Sequence, residues 1–333
     1  MTSLPARLIT ASNLAYNIND DGNGFVLPAD DFAAISNLIG FVETPKTYQA
    51  RTEDGIDACY VTETATECFL VFRGTIAPNI SVTNPNAMLR SLLDWLNDGK
   101  IEQVKGDSLP GLVHAGFLAS LDNLWKLIDL SLLATANANG KPLYVTGHSK
   151  GGGLAFLAAQ RLLAQQINVA GVYTFAAPRV GDQAFALAYD ANLKSQTFRI
   201  EYQDDIVPHI PPHTGSWLQT LQSAGQVGGK ISVVVSAEDA NAKSAFDALV
   251  SRLQIILKRM ADHSIHLDSY VSVGTLRFID WTAGDALQDD SWALTVKREL
   301  HLAELFLTLQ FKRIIEDHFC SARYGYMDYP YQQ

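Results

Sequence analysis

Cysteine is scarce in this chain: Cys59, Cys68 and Cys320 are the three in 333 residues. So small and odd a set builds no disulfide framework and no thiolate metal site, and it fits a reducing compartment. Cys59 and Cys68 fall in adjacent predicted strands and are the pair that oxidising conditions would join. Positive charge is also in deficit, with 25 Lys and Arg against 35 Asp and Glu and a formal net charge of −10. That balance argues against a nucleic-acid partner and against electrostatic docking on anionic membranes, while leaving a neutral lipid open as substrate. Long apolar runs are missing as well. Met1–Asn19 holds one Arg and no continuous apolar stretch, so no cleaved secretory leader is expected. Leu300–Ile315 is broken by Glu304, Gln310, Lys312 and Arg313, so no transmembrane segment is expected. A cytoplasmic location is favoured over secretion without a recognisable signal. Repeats and low-complexity tracts are absent too.

What remains is a globular composition, 47% hydrophobic and 18% charged, long enough to bury a large core as a single domain over 1–333. Helical periodicity marks Leu8–Asn17 and Asp31–Ile39. Ile56–Thr64 and Glu67–Arg73 alternate as a hairpin. Val113–Ala134 reads as one amphipathic helix, followed by a strand at Leu143–Thr146 and a helix to about Gln165. Val169–Phe175, Asp182–Leu193 and Thr197–Tyr202 continue the alternation of strand and helix, which predicts a mostly parallel sheet covered on both faces.

The segment Tyr144–Gly152 places a serine in Gly147-His148-Ser149-Lys150-Gly151, between the β-branched strand and the Ala/Leu-rich helix. A serine presented on a sharp strand-to-helix turn needs small neighbours, hence Gly147 and Gly151, and the helix start beneath it faces developing negative charge. A serine hydroxyl is a poor nucleophile unless a base, itself oriented by a carboxylate, takes its proton. Asp204 and Asp205, just past Thr197–Tyr202, are the acid candidates at the carboxyl edge of the sheet. His263, His266, His301 and His318 follow at suitable distance, while His209 and His213 lie too close. His301 sits within a helical pattern, and position alone leaves His318 level with the His263/His266 pair.

Several motifs in order carry a resemblance to the class 3 lipases: Phe72-Arg73-Gly74-Thr75, Asp94-Trp95-Leu96-Asn97-Asp98, Val113-His114-Ala115-Gly116-Phe117, the Ser149 turn, Thr174–Asp182, and Asp205-Ile206-Val207-Pro208 through Pro212. The match runs from about Cys68 to Pro212. It resembles the fungal triacylglycerol lipases and their bacterial and plant relatives, and a bacterial-type member is expected. The resemblance implies an α/β-hydrolase fold and a serine carboxylic-ester hydrolase working through an acyl-enzyme on an ester or lipid, with no metal or organic cofactor. It selects Asp205 over Asp204, and it assigns the oxyanion hole to Thr75 and the backbone N–H of Lys150. Asp262-His263-Ser264-Ile265 with Tyr270 is similar to the family's histidine segment, so His263 is the expected base, and Lys230–Val235 would be the strand before it. Asp317-His318 repeats the Asp-His pair without the serine.

This chain also departs from the family pattern. Lys150 stands where the family usually has Leu, a cation that either biases substrate choice or points to solvent. Residues 76–93 form an insertion that the resemblance identifies with a lid making transient contact with a lipid surface. Residues 242–260 read as an added helix before the histidine segment 262–270. A C-terminal extension, 285–333, has no assigned role. The same triad would serve an acyltransferase, and a catalytically silent lipase-like binding module is the other alternative.

Overall fold

The computed structural model describes residues 2–52, 55–75, 102–211, 270–280, 287–307, 313, 316–320, 325–329 and 331. The expected lid at 76–93, the motif at Asp94–Asp98, the strand Lys230–Val235, the helix at 242–260 and the segment 262–269 with His263 and His266 lie outside them.

The chain opens with helices α1 (Leu4–Leu14) and α2 (Ala29–Ile39), then strands β1 (Lys46–Thr52), β2 (Gly55–Glu63) and β3 (Cys68–Phe72). Two short strands, β4 (Gln103–Val104) and β5 (Val113–His114), pair apart from the main sheet. Helices α3 (Ala115–Trp125) and α4 (Leu130–Ala138) follow, then β6 (Leu143–His148), α5 (Lys150–Ala164), β7 (Gly171–Phe175), α6 (Gln183–Leu193) and β8 (Thr197–Tyr202). Strands β9 (Thr275–Ile279) and β10 (Leu287–Asp289) and helix α7 (Trp292–Leu307) complete the set. The main sheet has the order β1-β2-β3-β6-β7-β8-β9-β10. β3, β6, β7, β8 and β9 run parallel, with the antiparallel hairpins β1-β2-β3 at one edge and β9-β10 at the other.

The alternation of β3 shows how the sheet is sealed. Cys68, Leu70 and Phe72 face one core cluster, with Leu121 and Leu124 of α3 and Leu154, Leu157 and Leu162 of α5. Phe69 and Val71 face the other, with Leu8, Ala11 and Leu14 of α1 and the late tyrosines Tyr326, Tyr329 and Tyr331. Successive side chains of a strand point to opposite faces, so five consecutive buried residues require cover on both sides. The second cover comes from the two ends of the chain.

The single helix expected over Val113–Ala134 is divided. Val113–His114 is strand, and the imidazole of His114 accepts from the N–H groups of Gly116 and Phe117, starting α3 there. Asp129 accepts from Ser131 N–H and restarts the helix as α4. Capping side chains satisfy N–H groups that a continuous helix would have bonded internally, so each fixes a boundary. Cys59 and Cys68 do sit on neighbouring strands, but Cys59 opposes Phe72 and Cys68 opposes Glu63. That offset is roughly 13 Å at about 3.3 Å per residue, too far for a disulfide. All three cysteines are free and buried, and burial pushes the Cys68 thiol up to about 12.

Candidate active site

The turn after β6 is built by glycine. Ser149 has φ 59° and ψ −131°, a left-handed conformation that L-residues avoid, and only 3% of it is exposed. A Cβ on Gly147 would lie 2.3 Å from the carbonyl of Gly151, and one on Gly151 would lie 2.3 Å from the carbonyl of Phe72. No side chain fits at either place, so the helix start is pressed against the ends of β3 and β6. At the start of α5 the N–H groups of Gly152 and Gly153 bond to the Ser149 carbonyl at 2.9 and 3.3 Å, and a helix N-terminus beside the serine favours negative charge there.

Asp205 lies in the turn after β8, at the same carboxyl edge of the sheet. Its carboxylate is buried and held by three donors: Val207 N–H to Oδ1 at 2.9 Å, Tyr326 O–H to Oδ2 at 2.6 Å, and an imidazole Nδ1 at 2.9 and 3.1 Å. The imidazole is that of His318, whose Nε2 stands 3.0 Å from Ser149 Oγ. A base placed between the hydroxyl and the carboxylate can take the proton while the carboxylate stabilises its charged form. His318 thus fills the seat expected for His263, which lies outside the described residues. Tyr270, grouped with His263 by its local motif, packs against the His114 ring at 6.0 Å. The tyrosine that reaches Asp205 is Tyr326, from the C-terminal extension, which therefore supplies two groups of the site.

Asp204, the neighbour of Asp205, turns to different partners. His301 Nε2 of α7 lies 3.2 Å from its carboxylate, and Arg313 Nε pairs with it as well. Asp317 accepts from the Asp204 N–H at 3.0 Å. Burial, followed by the charges of Asp204 and Asp205, raises the Asp317 carboxyl to about 7.

Thr75 follows β3 directly after Gly74, whose α-carbon faces the carbonyl of His148. The Thr75 hydroxyl oxygen is buried without a hydrogen-bond partner, as suits a donor awaiting an anionic oxygen. The Lys150 side chain does not point freely to solvent. Its Nζ turns back to Asp57 Oδ1 of β2 at 2.7 Å, leaving its backbone N–H at the helix start.

Helix α7 braces the Asp205 turn from the side. Arg298 donates to Glu201 of β8 at 2.6 Å and to His209 Nε2 at 3.1 Å, and His209 Nδ1 donates to Glu299 at 3.0 Å. Arg179 binds the carbonyls of His209 and Pro211 at 2.9 and 2.8 Å. His209, close in sequence to Asp205, thus serves this brace. Burial lowers its pKa, with Glu299 pulling the other way.

A parallel sheet with a strained serine between strand and helix, and a carboxylate and imidazole gathered at its carboxyl edge, defines an α/β-hydrolase. The fold matches Rhizomucor miehei lipase in its propeptide complex with a TM-score of 0.55 at 18% identity, over 98% of this chain and 79% of that one. Residues 69–215 match the family Lipase (class 3). A Caenorhabditis elegans lipase is 38% identical over 104 residues, 30% of this chain and 29% of that protein. The secreted mono- and diacylglycerol lipase 1 of Fusarium solani is 30% identical over 182 residues, 54% of this chain and 50% of that protein. The chain therefore spans half or less of the length of these relatives. Together the matches support the class 3 lipase family. These relatives are nematode and fungal, and the expected bacterial type finds no support among them.

Proposed function

We propose that the chain is a serine carboxylic-ester hydrolase of the lipase or esterase kind, with Ser149 as nucleophile, His318 as base and Asp205 as the carboxylate that orients it. The observation that carries this reading is the pair of contacts made by one buried imidazole, Nε2 to Ser149 Oγ at 3.0 Å and Nδ1 to Asp205 at 2.9 Å. His318 takes the serine proton as Oγ attacks the ester carbonyl, and Asp205 stabilises the imidazolium. The N–H groups of Thr75 and Lys150, with the Thr75 hydroxyl, receive the oxyanion, each donor being worth about 3–4 kcal/mol of barrier. His318 then protonates the leaving alcohol, and a water repeats the cycle to free the acid. Substrates are neutral esters, and the relatives named as lipases point to glycerides. Three buried unpaired thiols suit a reducing compartment.

The test is hydrolysis of p-nitrophenyl esters from short to long acyl chains by wild type, Ser149→Ala, His318→Ala and His263→Ala. Ser149→Ala and His318→Ala are each expected to lower kcat by roughly 10⁵- to 10⁶-fold. His263→Ala should keep wild-type activity. Loss of activity in His263→Ala with retention in His318→Ala would return the base to the segment 262–270. Added alcohol in the same assay separates hydrolysis from acyl transfer.

A further inference from the structure

Tyr16 lies in the turn of 3-10 helix, Ala15–Asn17, that follows α1, far from Ser149 in sequence. Its hydroxyl is 2.8 Å from His148 Nδ1, and His148 Nε2 is 2.8 Å from the backbone carbonyl of His318. The two contacts settle each other. A carbonyl oxygen only accepts, so His148 Nε2 carries the proton. The ring is neutral, since burial and the neighbouring His318 hold its pKa well below 6.5. Nδ1 is then a lone pair and must accept from the Tyr16 O–H. The rings of His148 and His318 lie 4.8 Å apart, and Tyr326 closes the group edge-on to His148 at 5.5 Å. The same hydroxyl rests against Gly74, where an added Cβ would come within 2.0 Å of it.

The geometry points to Tyr16 and His148 as positioning residues for the reaction, a relay from the first helix that fixes the backbone of His318 and abuts the segment carrying Thr75. This rests on the reading of Ser149, His318 and Asp205 as the catalytic groups. The use of such a relay follows from where His318 sits: it is outside any strand, so no sheet ladder holds its carbonyl, and the His148 bond joins the contacts that Asp205 and the Asp204 N–H make with the same turn. The Tyr16 hydroxyl fixes the His148 tautomer. Without it, the ring is free to carry its proton on Nδ1, which would turn the Nε2 lone pair toward the His318 carbonyl lone pairs and repel the base from its seat.

Tyr16→Phe removes one oxygen and keeps the ring, so the fold is expected to persist. The expected result is a fall in kcat of about tenfold, the scale of one neutral hydrogen bond, with KM within about twofold of wild type. The acid limb of kcat/KM should move to lower pH as His318 loses part of its contact with Asp205. His148→Gln, whose amide accepts and donates at similar spacing, should retain activity that His148→Leu loses. Tautomer-sensitive ¹⁵N spectra of histidine-labelled protein should show His148 protonated on Nε2 in wild type and mixed in Tyr16→Phe. An unchanged tautomer and pH profile in Tyr16→Phe would overturn the relay. Labelling of wild type by an organophosphonate at Ser149 checks the underlying reading separately. A labelled wild type with an unaffected Tyr16→Phe sinks only the relay, whereas an unlabelled wild type sinks the catalytic reading itself.

Discussion

Each charged group at the candidate site is held by a nameable partner, and the energetics of the site follow from those pairings. Tyr326 illustrates this. Its O–H donates to Asp205 Oδ2 at 2.6 Å and accepts from Tyr202 N–H at 3.1 Å, and burial together with the Asp205 charge raises its pKa well above 10. Tyr326→Phe should lower kcat by about tenfold without changing acyl-chain preference, because it frees one carboxylate oxygen while leaving the acyl pocket intact. Steady-state kinetics across the ester series would show this, and an altered chain-length optimum would contradict it. Asp317 yields a prediction in pH. Its folded pKa, about 7, lies above the unfolded value near 3.9. The native state therefore binds the proton more tightly. This contribution to stability is full below about pH 4 and is lost as pH rises toward 7. Asp317→Asn, having no proton to lose, should flatten the decline of the thermal midpoint across that window; equal slopes for variant and wild type would count against it.

At the scale of elements, α7 braces the turn after β8 from the side, in addition to the bonds that Arg179, His318 and Tyr326 make with it. Glu201 is buried and receives Arg298 at 2.6 Å and Arg199 from its own strand. Its pKa stays below the usual carboxylate value because these guanidinium groups, with His209, outweigh a larger single cost of burial. Arg298→Ala would leave that carboxylate and His209 short of a partner, at a cost of about 3–5 kcal/mol as for other broken buried pairs. Urea unfolding should register the loss as a lower midpoint at constant slope. The Asp205 turn, three residues past the end of β8, should loosen with it and lower kcat. The elbow is the contrasting case, since its geometry is enforced by contacts between residues adjacent in sequence and by the close approach of β3.

At the scale of the whole molecule, the two ends of the chain meet over one face of the sheet. Ser3 Oγ donates to the Tyr331 carbonyl at 2.6 Å, Tyr331 O–H donates to the Tyr326 carbonyl at 2.8 Å, and Tyr326, Tyr329 and Tyr331 share a core with α1. The segment bearing His318 is carried in this layer, so the imidazole beside Ser149 is placed by the same contacts that dock the C-terminal residues. That arrangement explains why the extension at 285–333 showed no role in the sequence. Its contacts at the candidate site, His318 and Tyr326 with Asp205, are with a residue more than a hundred positions away.

The sequence by itself determined whatever is enforced locally. The alternation of strand and helix, the need for Gly147 and Gly151 around Ser149, and the Asp205 turn at the end of β8 all rest on short-range sterics and periodicity. The hairpin β2-β3 and the helix after Ser149 were legible for the same reason, and the split of 113–134 was missed because two capping side chains, His114 and Asp129, interrupt an unbroken apolar pattern. Only the tertiary structure decided which histidine meets the serine. His318 is separated from Ser149 by 169 residues and from Asp205 by 113, and every later histidine satisfies the chain order equally. The Asp262-His263-Ser264 motif is a local likeness in a segment outside the described residues, whereas the ring that stands beside Ser149 is set by where packing delivers it. The burial of the C-terminal tyrosines against α1 delivers His318.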